Sequence, residues 1–188
     1  MRRTGATAAA LATILGFAPP EALGLRRAAA LHDVGKAAIP MAILAKPAAL
    51  TRAERRTVER HTLIGHRMLI AVSGPHALAA ARIALTHHER FDGRGYPHGL
   101  AGTEIPIAGR IVAVADVLDA LLSDRPYRPA LAPGQALELL RAESGSHFDP
   151  AIVAPALEHA GCLIDQLAAP QATRFPHGTG FAPQAGEG

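Results

Sequence analysis

Apolar and polar positions recur along this chain with a helical period. Ala6–Phe17 and Glu21–Leu31, rich in Ala and Leu, predict two helices separated at Pro19-Pro20. The chain breaks at Gly35, and the stretch from Ile39-Pro40 to Ala49 predicts a short apolar connection. Thr51, followed three residues later by Glu54, forms a capping box and opens a helix to about Val72. Pro75 stands near the start of the next helix, which ends near His87-His88. Glu89 to Pro106 is punctuated by Gly93, Gly95, Pro97, Gly99 and Gly102, and predicts an ordered loop or lid. Ile107–Leu122 is an apolar helix with Asp116 and Asp119 on one face. Pro133 begins another helix, to about Ala142. Asp149-Pro150, an N-cap followed by Pro at the first helical position, begins a last one to about Ala168. No segment sustains the two-residue alternation of a strand, and none repeats, so the fold class is all-α. Residues 1–168 form one domain, and the Gly/Pro-rich residues 169–188 read as a disordered tail.

With 188 residues, 49% of them apolar, the chain can bury a substantial single core. Nineteen Lys and Arg against 16 Asp and Glu leave a net charge of +3, which favours an anionic ligand without arguing for DNA. The single cysteine, Cys162, excludes an internal disulfide framework and a thiolate zinc cluster. No Trp and 4% aromatic residues speak against a stacking platform for single-stranded nucleic acid. Met1-Arg2-Arg3 before the apolar run Ala6–Ala18 imitates a signal peptide. That run is too short to span a bilayer and reads instead as the first helix of a cytoplasmic domain.

Ten histidines are the unusual feature, scattered and mostly close to Asp, Glu or Gly. A lone His beside an Asp is more often a cap or a satisfied core group than a ligand. In the set His32-Asp33, His61, His87-His88 and Asp116, two adjacent pairs beside Gly-rich turns raise the case for ligation, but spacing alone does not fix the set. Imidazole and carboxylate without thiolate suit Fe, Mn or Zn. Neighbouring residues on a helix point about 100° apart. Adjacent ligands therefore suggest two metals sharing a carboxylate, an arrangement that can lower the pKa of a trapped water and deliver hydroxide in line to phosphorus.

LHDVGK at 31–36 and HHERFDGRGYPHGLAGTEIP at 87–106 resemble the two signatures of the HD-GYP family, whose tripeptide is here Gly95-Tyr96-Pro97. ADVLDALLSDRPYRPA at 115–130 and SGSHFDP at 144–150 resemble its remaining motifs, in the same order. The resemblance runs to about Leu157. It implies an HD-domain helical bundle with an ordered GYP loop, hydrolysing cyclic di-GMP to linear pGpG and onward to GMP through a metal-bridging hydroxide. It implies two divalent ions, Fe or Mn, held by His32, Asp33, His61, His87, His88 and Asp116, with Asp33 bridging. Lys36 then contacts the scissile phosphate, Arg125 and Arg128 hold phosphate oxygens, and Tyr96 lines the pocket. Asp119 orders water or ligand, or else serves as the partner of an N–H or an Arg. Asp92 and the loop glycines shape backbone. His66, His76, His98, His147, His159 and His177 match no ligand position.

Family members carry a further His in the first helix, three residues before an Arg. Arg3 takes that Arg position, so the His slot falls before Met1. The third metal site of some members is therefore not supported, and the chain reads as N-terminally truncated or, alternatively, as a degenerate member. Partners implied by the resemblance are cyclic di-GMP, diguanylate cyclase domains met through the GYP loop, and an upstream sensory or receiver domain. Two other functions stay open: an HD hydrolase of another nucleotide or phosphoester, and a binding module without turnover.

Overall fold

A computed structural model describes residues 2–124 and 129–168. Among the described residues there are ten α-helices and no strand. They are α1 (Arg2–Ile14), α2 (Pro19–Ala29), α3 (Met41–Leu44), α4 (Arg52–Glu59), α5 (His61–Ile70), α6 (Ala77–Thr86), α7 (Ile107–Leu121), α8 (Pro133–Ala142), α9 (Pro150–Glu158) and α10 (Ala160–Ala168). The all-α expectation holds. No described helix is long and apolar enough to cross a membrane. The expected tail, 169–188, lies outside the described residues.

The core is built from small side chains. Ala8, Leu11 and Ala12 of α1, Ala28 and Ala29 of α2, Ala80, Ala81, Ile83 and Ala84 of α6, and Ile111, Val112, Val114, Ala115 and Leu118 of α7 are buried in one cluster. Alanine surfaces let helix axes approach closely, and α1 accordingly packs on α2, α7, α9 and α10, while α6 packs on α2, α5 and α7. The capping box at Thr51 forms as expected, with Glu54 N–H donating to Thr51 Oγ1 at 3.2 Å and Thr51 N–H to Glu54 Oε2 at 2.7 Å. Asp149 caps α9 through the N–H of Ala151 at 2.8 Å, and also pairs with Arg110 of α7.

Three elements depart from the sequence expectation. Pro19 and Pro20 do not separate α1 from α2; they are the first residues of α2, where a missing N–H costs nothing. The helix expected from Thr51 to Val72 is two helices broken at Arg60. His61 Nδ1–H takes the carbonyl of Val58 at 2.7 Å and Thr62 Oγ1–H takes that of Glu59 at 2.9 Å, so side chains replace the helical amides there. The last helix is likewise broken at His159, whose backbone leaves the helical range (φ -106°, ψ 24°) and whose ring Nδ1 lies 3.0 Å from the Pro155 carbonyl. The connection 39–49 contains the short α3.

Candidate metal centre

Chain reversals at helix ends bring the six expected ligands together. His32 and Asp33 follow the end of α2, and Asp33 opens a 3-10 turn, Val34–Ala38. His61 starts α5, His87 and His88 follow the last turn of α6, and Asp116 lies on α7. Gly35 makes the convergence possible. A methyl there would overlap the carbonyl oxygen of His61, so only glycine lets the turn after Asp33 lie against the start of α5.

One ligand atom each from Asp33, His61, His87 and His88 lies within 4.8 Å of the others. Asp33 Oδ1 is 3.3 Å from His61 Nε2 and 3.7 Å from His87 Nε2. Its other oxygen faces a second group: Asp33 Oδ2 is 3.4 Å from His32 Nε2, which is also 3.4 Å from Asp116 Oδ1. Asp33 thus presents one oxygen to each side of the centre.

Whether a cation fits is decided by the donors. His32, His61 and His87 each direct Nδ1 at a backbone carbonyl, of Ala29 at 2.7 Å, Val58 at 2.7 Å and Ile83 at 3.0 Å. A carbonyl only accepts, so Nδ1 carries a proton and Nε2 is the nitrogen that faces inward and can offer its lone pair to a cation. His61 Nε2 and His87 Nε2 then face each other at 3.5 Å, lone pair to lone pair, an arrangement that a cation between them relieves. Among the described residues, His32 Nε2 and Asp33 Oδ1 are buried without a hydrogen-bond partner. The residues fit divalent cations well.

Electrostatics agree. Burial, with the neighbouring imidazoles, lowers the pKa of His88 to about 2, and burial lowers that of His87, so both imidazoles are neutral. Burial opposes ionisation of Asp33, but the His32, His61 and His87 imidazoles around it outweigh burial and hold the carboxyl well below its usual range. Asp116 is likewise lowered, burial being outweighed by His32. Burial would lower His32, yet Asp116 and Asp33 outweigh it and raise it to about 9. Without a metal, a proton on His32 supplies the positive charge these two carboxylates need.

Around this centre, Lys36 Nζ is 2.6 Å from Asp33 Oδ2 and about one-third exposed, so it can turn toward a ligand. The Tyr96 ring stacks on His88 with centroids 4.8 Å apart. Burial and then the charge of Glu59 push the Tyr96 hydroxyl pKa up. Asp119 stands one turn from Asp116, and among the described residues no hydrogen bond or ion pair joins it to the expected ligands. Its carboxylate forms an ion pair with Arg3, Nε to Oδ1 2.8 Å, and accepts a hydrogen bond from Thr4 Oγ1 at 3.3 Å, tying α7 to α1. Arg125 and Arg128 lie outside the described residues. His147 stacks on Phe148, away from the ligands, and His66 hydrogen-bonds the carbonyl of Ala81.

One residue of the site went unassigned in the sequence. Glu89 is 2% exposed and accepts the backbone N–H of His98 at 2.8 Å and of Leu100 at 3.1 Å. With the bond from Tyr96 N–H to the His88 carbonyl, it folds the loop back onto the ligand pair. The signal was available: an acidic residue directly after two candidate ligands and before a Gly/Pro-rich loop, whose backbone amides need acceptors. The Asp92 carboxylate pairs with Arg90 at 2.8 Å, consistent with the backbone-shaping role expected of it.

A family profile described as HD domain matches residues 1–152. The chain is 46% identical over 153 residues to a cyclic di-GMP phosphodiesterase response regulator of Xanthomonas campestris pv. campestris, covering 81% of this chain and 40% of the relative. It is 44% identical over 149 residues to 3'3'-cGAMP-specific phosphodiesterase 2 of Vibrio cholerae, covering 79% and 28%. It is 43% identical over 151 residues to a cyclic di-GMP phosphodiesterase of Thermotoga maritima, covering 80% and 41%. The chain therefore spans less than half the length of each of these relatives. The fold matches the crystal structure of a cyclic GMP-AMP specific phosphodiesterase of V. cholerae with a TM-score of 0.63 at 20% identity, over 89% of this chain and 45% of that one. A profile match across most of the chain, over a bundle whose helix ends gather the expected His and Asp residues, makes this chain a member of the HD-domain family, in its HD-GYP branch.

Proposed function

We propose that this chain is a metal-dependent phosphodiesterase that opens cyclic di-GMP to linear pGpG and carries it onward to GMP. The observation that carries the reading is the inward-facing donor set. Three imidazoles are locked by their Nδ1 bonds with Nε2 toward the half-buried Asp33 carboxylate, in a chain over 40% identical to two phosphodiesterases named for cyclic di-GMP. An all-nitrogen-and-oxygen set suits two divalent ions, Fe or Mn, which His32, Asp33, His61, His87, His88 and Asp116 would hold, Asp33 offering one oxygen to each side. Such ions supply an activated water and neutralise phosphate charge when bound.

The chain's own residues do the rest. Backbone carbonyls keep the ligand imidazoles in one tautomer and one orientation. Lys36, beside Asp33 and partly exposed, offers its ammonium to the scissile phosphate. Asp119 acts on position, holding α1 to α7 through Arg3 and Thr4. Tyr96 walls the pocket above His88. Arg125 and Arg128 hold the phosphate that is not under attack. A cytoplasmic location, contact with diguanylate cyclase domains through the GYP loop and an upstream receiver or sensory domain belong to the same reading, the last supported by the response-regulator relative.

A second substrate, 3'3'-cGAMP, is favoured by the V. cholerae relative named for it. Incubation of manganese- or iron-loaded protein with each cyclic dinucleotide, followed by chromatography, tests both. Linear dinucleotide from cyclic di-GMP is the expected product; turnover of 3'3'-cGAMP alone would replace the substrate. No product from either, at micromolar protein, would overturn the reading.

A further inference from the structure

Beside the metal centre, a groove of about 360 Å³ is lined by Arg56 and Glu59 of α4, by Arg60 and Leu63 at the α4–α5 junction, and by Tyr96 and Pro97 of the GYP loop. Its volume lies near the lower end of small-molecule sites. Tyr96 joins the two places, lining the groove while stacking on His88. A nucleotide with its phosphate at the metal ligands would reach the groove with its base.

Glu59 sets the chemistry of that groove. It is half-buried and flanked by Arg56 and Arg60, yet among the described residues its carboxylate makes no hydrogen bond or ion pair with either. By contrast Glu54, on the same helix, is fully engaged with Lys46 and Thr51. A carboxylate in the wall repels a second phosphate, so the groove does not suit the anionic part of the substrate. It suits a flat base, covered by Leu63, Tyr96 and Pro97. The Watson–Crick edge of guanine carries two adjacent donors, N1–H and N2–H, which match the two oxygens of a carboxylate. Adenine carries an acceptor, N1, beside one donor, and N1 would face a carboxylate oxygen lone pair to lone pair. The exposed guanidinium groups of Arg56 and Arg60 complement O6 and N7 of guanine.

We infer that Glu59 is the residue that selects guanine, by accepting N1–H and N2–H of one base of the substrate in the groove beside Tyr96. The inference rests on the cyclic-dinucleotide reading for its substrate. A site built to satisfy a particular set of donors discriminates strongly against an analogue that lacks one.

Two measurements on the full chain, loaded with manganese, separate the inference from that reading. Calorimetry gives Kd for GMP and AMP, and chromatography gives kcat/KM for cyclic di-GMP and cyclic di-AMP. The wild type is expected to prefer guanine in both by at least about tenfold, the lower bound for a lost hydrogen bond to a charged group. Glu59→Gln presents one donor and one acceptor, which suits adenine, so the preference should collapse or invert while metal content stays unchanged. Glu59→Ala should lose the preference without gaining affinity for AMP. A wild type without guanine preference, or a preference that survives in both variants, overturns the assignment. A Glu59-dependent preference for GMP with no turnover of any cyclic dinucleotide supports the groove and sinks the phosphodiesterase reading instead.

Discussion

Removing the Glu89 carboxylate should loosen the GYP loop before it unfolds the bundle. The side chain is 2% exposed and holds two backbone amides, His98 N–H at 2.8 Å and Leu100 N–H at 3.1 Å. A hydrogen bond to a charged group contributes about 1.5–3 kcal/mol, so Glu89→Ala forfeits roughly 3–6 kcal/mol before relaxation. Part of this returns. His98 is exposed and Leu100 half-buried, so water can reach both amides once the carboxylate is gone. Other anchors remain: Gly102 N–H to the Phe91 carbonyl at 2.9 Å, Asp92 N–H to that of Ser146 at 2.8 Å, and the Arg90–Asp92 ion pair. A net loss of about 2–4 kcal/mol is expected, or roughly 5–10 °C in Tm for a domain of this size. Glu89→Gln keeps the shape and one acceptor but turns an NH2 toward a backbone donor, so it should fall about halfway. Thermal denaturation measures the loss, and hydrogen exchange localises it. The His98 and Leu100 amides should lose protection, while amides inside α7 keep theirs. Because the loop carries Tyr96, catalytic efficiency should fall as well. A Tm within about 1 °C of wild type, with both amides still protected, would refute the anchoring role.

Asp33→Ala should abolish activity and cut bound metal at both sides of the centre while the circular dichroism stays helical; full metal content by elemental analysis would remove Asp33 from a bridging position. Lys36→Ala should keep its metal and lose turnover, and equal metal loss in both variants would refute that division of labour. Arg125→Ala should weaken cyclic di-GMP binding by about 1.5–3 kcal/mol, with much less effect on a small chromogenic phosphodiester, which has no second phosphate. Equal loss on both substrates counts against the role. A pH dependence follows from His32, whose metal-free folded pKa of about 9 exceeds its ordinary 6.5. Its stabilising pairing with Asp33 and Asp116 is complete below about pH 6.5 and disappears as pH rises through about 9. A metal must displace that proton, so manganese affinity of the metal-free protein should climb between those limits with proton release, measurable by calorimetry in buffers of different ionisation enthalpy. Affinity independent of pH across that window would show that His32 binds its metal without losing a proton.

Much of this protein was legible in one dimension. Helical periodicity and the absence of alternation required an all-α fold, and Thr51, Glu54, Asp149 and Pro150 marked helix starts because caps are local chemistry. The ordered motifs named the family and picked the residues that converge. Other features needed three dimensions. That one helix ends just before Arg60 and another starts at His61 depends on which carbonyl the His61 ring and the Thr62 hydroxyl find. That Asp119 serves Arg3 and Thr4, 116 and 115 residues away in sequence, depends on how α1 lies on α7. The roles of Glu89 and Glu59 are non-local in the same way. A carboxylate reads alike in sequence whether it is solvated, capping, anchoring a loop or facing a groove. Periodicity and caps are settled within a few residues of chain. The partner of a charged side chain is settled by packing between helices distant in sequence, and only the tertiary structure decides it.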